Sequence, residues 1–281
     1  MRVGILGLGL IGRAVGARLV AAGHEVTGFD PVAGEFAGRV AAAAEVWQAE
    51  VVIVAVFDAG QAREALQARP EGCAPDVMVM TTCDPEGIAS LVPLAGHCGL
   101  VEAPVSGTSA QLARGEAVLW LAGDETAVAR VMPVAGALGR VVRLGAFGEG
   151  ARVKLCVNLV LGLNRAALAE GMLLAEALGI AGGRFLDLAQ GSAAASAVMA
   201  TKGPKMAARD FAPEGRVAQS AKDFGLILKA AEGAGVGLPF AHLYAGMMGK
   251  LVAAGEGELD NAAIIRALER DRGSPVVAGE V

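Results

Sequence analysis

Aromatic residues are scarce in this chain: two Trp, one Tyr and eight Phe make up 4% of its 281 residues, so the core must be packed from Ala, Val and Leu, with helices in close approach. Cysteine is scarce too. Cys73, Cys83, Cys98 and Cys156 form no C-x-x-C pair and match no zinc spacing, and three histidines (His24, His97, His242) leave few further ligands, so no metal site is expected. Four such thiols read as reduced, small apolar residues of a cytoplasmic protein. There is no basic block, and the net charge is −5, which speaks against nucleic acid and against an anionic membrane surface. With 54% hydrophobic and 19% charged residues, the chain can bury a substantial core and does not have the composition of a disordered protein. Long unbroken apolar runs are missing as well. The N-terminal run is interrupted by Gly4, Gly7, Gly9 and Gly12, and no cleavage site follows it, so it does not read as a signal peptide. Leu155 to Ile180 carries Asn158, Asn164, Arg165, Glu170 and Glu176, which is too polar for a membrane span and suits a buried helix of a soluble protein.

Glycine is what the chain has in abundance, and its placement is informative. Arg2 to Leu6 reads as a strand, followed at once by Gly7-Leu-Gly9-Leu10-Ile11-Gly12, a helix to about Ala22, and a second strand from Glu25 to Phe29 that ends at Asp30. In this context the first glycine permits a tight turn, the second lets backbone approach a pyrophosphate, and the third allows close helix–strand packing. The helix N-terminus, at Leu10 and Ile11, then faces the phosphates. Asp30 lies 18 residues beyond Gly12, where a carboxylate accepts hydrogen bonds from the adenosine ribose hydroxyls and repels a 2′-phosphate. Pro31, Val32 and Ala33 follow, with no arginine among them, so NAD is favoured over NADP.

Val51 to Val56 is a continuous apolar run suited to a central parallel strand, with Phe57-Asp58-Ala-Gly60 as a loop at its ligand-facing end. Asp76 to Met80 gives the next strand, ending in Thr81-Thr82-Cys83-Asp84-Pro85, where hydroxyls such as that of Thr82 either cap the following helix or touch the cofactor. Leu100 to Ala103 runs into Pro104-Val-Ser106-Gly107-Thr108-Ser109, a loop rich in small donors that reads either as a carboxylate-binding loop or as an ordinary turn. Strands are also expected at Ala117 to Leu121 and Arg140 to Leu144.

Near residue 150 the pattern changes from strand–helix alternation to helical periodicity alone, which predicts a Rossmann domain over residues 1–149 and an all-helical domain over 150–281. Helices are expected over Ala151 to Leu178, Gly182 to Gln190, Ala193 to Met206, Gln219 to Gly233, Phe240 to Ala254 and Asn261 to Arg270, with the tail after Asp271 loosely held. At the change lies Gly145-Ala-Phe-Gly148-Glu-Gly150-Ala-Arg-Val-Lys154-Leu-Cys-Val-Asn158, a glycine turn leading into a long helix. Lys154 and Asn158 are four residues apart and so share one face of it. A solvated lysine and a satisfied helix asparagine are the plain alternative to catalytic machinery.

Four blocks carry a resemblance to a known family. Gly7-Leu-Gly-Leu-Ile-Gly12, Glu102-Ala-Pro-Val-Ser-Gly107, Gly148-Glu-Gly-Ala-Arg-Val-Lys154 with Asn158, and Lys222-Asp223 resemble, in order and spacing, the β-hydroxyacid dehydrogenases, which include 3-hydroxyisobutyrate dehydrogenases, tartronate semialdehyde reductases and glyoxylate/succinic semialdehyde reductases. Lys202-Gly-Pro-Lys-Met206 and Gly255-Glu-Gly-Glu-Leu-Asp260 look like further landmarks. The resemblance covers nearly the whole chain. It implies an α/β Rossmann domain with a largely parallel, doubly wound sheet, then an all-α domain joined by a long interdomain helix. It also implies Lys154 as general acid/base, Asn158 as substrate-orienting, the Ser106–Gly107 loop (with Thr108) as the carboxylate site, Lys222 near cofactor and substrate, and a homodimer or homotetramer. The departures are Glu102 in place of the commoner aspartate, Thr108 where a second glycine is frequent, Val157 in place of an asparagine, and Asn261-Ala262.

The expected reaction is hydride transfer between a small hydroxy acid and NAD, with Lys154 exchanging the hydroxyl proton. An ordinary lysine pKa near ~10.4 is too high for this, so burial and the positive nicotinamide would have to lower it. Three readings compete: an imine reductase on the same scaffold, a catalytically silent NAD(H)-binding protein, and a 6-phosphogluconate dehydrogenase. The last is disfavoured by the short chain and the lack of an arginine cluster after Ser106.

Overall fold

The computed structural model describes residues 1–32 and 34–270, and the tail after Asp271 lies outside them. The chain divides into two compact units, Met1–Lys154 and Leu155 onward.

The first unit alternates strand and helix as β1 (Arg2–Leu6), α1 (Leu10–Ala21), β2 (Glu25–Phe29), α2 (Ala43–Val46), β3 (Val51–Val54), α3 (Ala59–Gln67), β4 (Asp76–Val79), α4 (Pro85–Ala89), α5 (Val92–Ala95), β5 (Leu100–Glu102), β6 (Val105–Ser106), α6 (Ser109–Arg114), β7 (Ala117–Gly123), α7 (Glu125–Leu138) and β8 (Gly139–Arg143). The sheet runs β2-β1-β3-β4-β5-β7-β6, with β8 also paired to β7. From β2 to β5 every pairing is parallel, and β7 is antiparallel to both β5 and β6. This matches the expected Rossmann class. The all-apolar Val51–Val54 is fully buried, as a central strand covered on both faces must be. Chain order reverses between β1 and β3, and crevices at such switch points, beyond the carboxyl ends of the strands, are where open α/β sheets bind ligands.

Two elements here depart from expectation. Helix α3 begins inside the segment read as a loop, because Asp58 caps it, accepting a hydrogen bond from Gln61 N at 2.9 Å. Val105–Ser106, read as loop, forms a two-residue strand against Val118 and Leu119 of β7. Two residues are too few to show alternation.

The second unit is helical: α8 (Glu149–Ala177, whose first turn and a half belong to the first unit), α9 (Gly182–Gln190), α10 (Ala197–Ala208), α11 (Val217–Gly233), α12 (Pro239–Ala253), a 3₁₀ turn (Asn261–Ala263) and α13 (Ile264–Arg270). Its core gathers around Met172, Met206, Phe224, Tyr244, Met248 and Ile265. The Phe224 and Tyr244 ring centroids lie 4.0 Å apart. Both tryptophans, Trp47 and Trp120, belong to the first unit, and the single tyrosine, Tyr244, to the second.

Helix α8 is long and apolar enough, by length and composition, to cross a membrane. Two of its polar side chains meet partners within the helical unit: Arg165 donates to the Tyr244 hydroxyl and Asn158 to Asp223. The expectation of a buried helix needs correction, since only 28% of its most apolar 18-residue window is buried and Val160 and Leu174 stand 58% and 62% exposed. Its small residues serve neighbours in the same unit. A Cβ on Gly162 would lie 2.4 Å from the Phe224 ring, and one on Gly171 2.9 Å from Phe185. Helix α10 starts at Ala197 rather than Ala193, with Ser192 Oγ holding a turn ahead of it by accepting from Ala194 N.

Candidate functional site

The turn between β1 and α1 is built as the glycine spacing requires. Gly7 has φ +97°, and a Cβ there would lie 2.5 Å from Ala55 O. A Cβ on Gly12 would lie 1.9 Å from Gly7 O, so the helix can begin against the turn only if position 12 is bare. A Cβ on Gly9, by contrast, would meet nothing within 4 Å. That open space beside the first turn of α1, which starts at Leu10 and Ile11, fits a pyrophosphate approaching backbone amides at a helix N-terminus.

Asp30 follows β2 beside this turn. Its Oδ2 accepts from Leu8 N at 2.8 Å and its Oδ1 from Val32 N at 2.8 Å. The carboxylate is thus aimed at the edge of the glycine turn before any ligand arrives. Sequence reading missed its neighbour Arg39. Gly28 pairs with Arg39 in an isolated bridge, and Arg39 Nη2 donates to Asp30 O at 3.1 Å. Nine residues of separation hid an arginine that the chain folds back to the same place.

The other loops at this end of the sheet are ordered by local capping. Phe57 N donates to Gln61 Oε1 at 2.9 Å, and the Phe57 ring is exposed. Thr81 Oγ1 accepts from Val56 N and donates to Val54 O, tying the ends of β3 and β4. Thr82 follows it in the segment that leads to α4, whose cap is Asp84, accepting from Gly87 N at 2.7 Å.

Lys154 lies in the second turn of α8, and its Nζ donates to Val105 O at 2.6 Å. The ammonium is therefore held against the strand residue that precedes Ser106 and Gly107. Thr108 caps α6 reciprocally with Gln111, its Oγ1 accepting from Gln111 N and its N donating to Gln111 Oε1. Asn158 follows Lys154 by one turn. Its Nδ2 donates to Asp223 Oδ2 at 3.0 Å, while Asp223 Oδ1 takes Gln219 Nε2 and Lys222 Nζ, each at 3.1 Å. Asp223 thereby orients the Asn158 amide and the Lys222 ammonium together, a role that the adjacent pair Lys222-Asp223 does not reveal by spacing alone.

Glu102, at the end of β5, is 1% exposed and accepts hydrogen bonds from Gly148 N, Gly150 N and Ala151 N. Burial pushes its carboxyl upward, against the pull of those three amides. Among the described residues no group of three or more His, Cys, Asp or Glu side chains is placed to hold a metal ion.

Comparison with known proteins places the chain among relatives along its whole length. Residues 2–148 match the NAD binding domain of 6-phosphogluconate dehydrogenase, and residues 148–268 match the NAD-binding family of NADP-dependent 3-hydroxyisobutyrate dehydrogenase. A probable 3-hydroxyisobutyrate dehydrogenase of Mycobacterium tuberculosis is 30% identical over 95% of this chain and 97% of its own. The 2-hydroxy-3-oxopropionate reductase of Escherichia coli is 29% identical over 96% and 97%. A crystal structure of 3-hydroxyisobutyrate dehydrogenase from Salmonella typhimurium superposes with a TM-score of 0.82 at 29% identity, covering 95% of this chain and 99% of that one.

Proposed function

The chain belongs to the β-hydroxyacid dehydrogenase family, whose members here are NAD(P)-dependent enzymes of small hydroxy acids, and from that premise we propose that it interconverts a small β-hydroxy acid and its semialdehyde or keto acid, with NAD preferred. The observation that carries the proposal is the Lys154 Nζ held at 2.6 Å from Val105 O, beside the Ser106–Gly107 loop.

Each group has its part in this chemistry. Gly7, Gly9 and Gly12 let the cofactor backbone approach the Leu10–Ile11 amides, Asp30 takes the adenosine ribose, and Phe57 and Thr82 complete the cofactor's surroundings. When bound, the oxidised nicotinamide supplies the hydride acceptor. Lys154 takes the substrate hydroxyl proton as the carbon is oxidised and returns it to the carbonyl oxygen in reduction. Asn158, its amide set by Asp223, orients the reacting oxygen, and Ser106 and Gly107 hold the carboxylate by Oγ and N–H donors, which is the positional part of the rate. A homodimer or homotetramer is part of the same proposal, supported by the exposed Val160 and Leu174 of α8, and so is a cytoplasmic location.

The direct test is the initial rate of NADH formation with excess NAD and a panel of 3-hydroxyisobutyrate, glycerate, threonate, 3-hydroxypropionate and 4-hydroxybutyrate. One preferred hydroxy acid supports the reading. Turnover of cyclic imines with none of the panel would replace it with imine reduction, and NADH binding without any turnover would make the protein a silent binder.

Cofactor choice has its own expected outcome. Wild-type protein should use NAD better than NADP by about tenfold in kcat/KM or more, equivalent to ~1.4 kcal/mol. Asp30→Ser should move the preference toward NADP, because it removes the repulsion and leaves Arg39 to meet the 2′-phosphate. Adding Arg39→Gln should cancel that gain. Equal NADP use by the single and double variants would remove Arg39 from the site.

A further inference from the structure

The long catalytic helix is fastened to the sheet at two heights, and the lower fastening has no role in the chemistry proposed above. Among the described residues no cation is hydrogen-bonded to the buried Glu102 carboxylate. It is met instead by three backbone amides around the start of α8: Gly148 N and Gly150 N (3.1 Å) reach Oε2, and Ala151 N reaches Oε1 at 2.7 Å. Three residues further along both segments comes the second fastening, Lys154 Nζ to Val105 O at 2.6 Å. Residues 102 and 105 thus face residues 148–151 and 154 as two rungs between one stretch of sheet and the first two turns of α8. A local serine or aspartate cap would satisfy the amides of α8 without tying them to anything else. A carboxylate delivered from β5 satisfies them and also sets the height of the helix against the strand that leads to Ser106. Gly150 leaves the space for it, since a Cβ there would lie 3.0 Å from Glu102 Cβ. The helix N-terminus supplies the positive potential that makes burying the anion tolerable.

We propose that Glu102 is a positioning residue for Lys154, holding the first turn of α8 so that the lysine nitrogen stands at the Ser106–Gly107 loop. The proposal rests on the functional reading of Lys154 given above. Glu102→Gln keeps the shape but presents an NH₂ group to amides that need an acceptor, and Glu102→Asp keeps the charge on a shorter arm. With the preferred hydroxy acid, kcat should fall about 10- to 100-fold in Glu102→Gln while KM for NAD stays within about twofold. The deuterium isotope effect on kcat should rise, and Glu102→Asp should recover part of the loss. A second arm needs no substrate. Competitive acetylation of all lysines, read by mass spectrometry, should show Lys154 reacting about fivefold faster in Glu102→Gln than in wild type, as a displaced amine would. Unchanged kcat in folded Glu102→Gln, or a kcat loss matched by loss of NAD binding, would overturn the proposal. If the wild type turns over none of the panel, the functional reading fails, and the acetylation ratio then decides the positioning claim alone. If Glu102→Gln does not fold, the same two measurements on Glu102→Asp decide it.

Discussion

Lys154→Ala should reduce kcat by about 10³-fold or more, corresponding to ~4 kcal/mol of transition-state stabilisation. NADH affinity should remain close to normal, because the groups proposed to hold the cofactor are elsewhere, at Gly7 to Gly12 and at Asp30. The side chain makes a hydrogen bond to Val105 O, yet it is only partly buried, so its removal should not unfold the protein. Lys154→Arg separates the proton-transfer role from the charge. A guanidinium stays protonated throughout the working pH range and cannot act as base, so it should be nearly as inactive as alanine. Stopped-flow turnover with a fluorescence titration of NADH checks both halves. Near-normal turnover in either variant would remove Lys154 from the chemistry.

Asp260→Ala should destabilise the helical unit by about 3–5 kcal/mol. Asp260 is fully buried and accepts from Lys202 Nζ at 2.9 and 2.8 Å, from Glu214 N at 2.8 Å, from Gly215 N at 3.2 Å and from Ala262 N at 2.9 Å. Without it the buried Lys202 ammonium and three amides lose their acceptor together. Urea unfolding at neutral pH measures the loss. Replacing Lys202 and Asp260 together by Met and Leu should restore part of it, since the stranded charge goes as well. A single-variant cost under about 1 kcal/mol would mean that water reaches the cluster. The acid dependence has a definite sign. Burial pushes Asp260 up, but the Lys202 ammonium and the amides more than offset that and hold the carboxyl below its ordinary value. The folded protein therefore binds this proton less readily than the unfolded chain, and the contribution, present at neutral pH, is lost as pH falls below about 4.

The pair also illustrates how far the sequence could be read. Lys202 and Asp260 both stand in segments that resemble family landmarks, yet nothing in either segment says that they meet, because 58 residues separate them. The same limit explains Arg39, Glu102 and the bond of Asp223 to Asn158, each of which depends on tertiary folding. What was legible is what local pattern encodes. The bounds of β1 and β2 follow from apolar runs closed by glycine and Asp30, and the Gly7–Gly12 turn from steric demands confined to a few residues. Strand β6 was not legible, since its pairing comes from β7 and not from its own two residues. Lys154 and Asn158 sat between: their shared helix face follows from spacing, whereas their contacts with Val105 and Asp223 required the fold.

The uneven placement of the few aromatic rings has an optical consequence. Both tryptophans sit in the dinucleotide-binding unit and the one tyrosine in the helical unit, so excitation at the red edge of indole absorption reports on the first unit alone. Far-ultraviolet dichroism draws instead on the helices of both units. An unfolding curve recorded both ways will coincide if the two units melt together and will separate if they do not. The wild-type chain therefore carries, without added labels, a probe confined to its first unit, to be set against a signal that both units share.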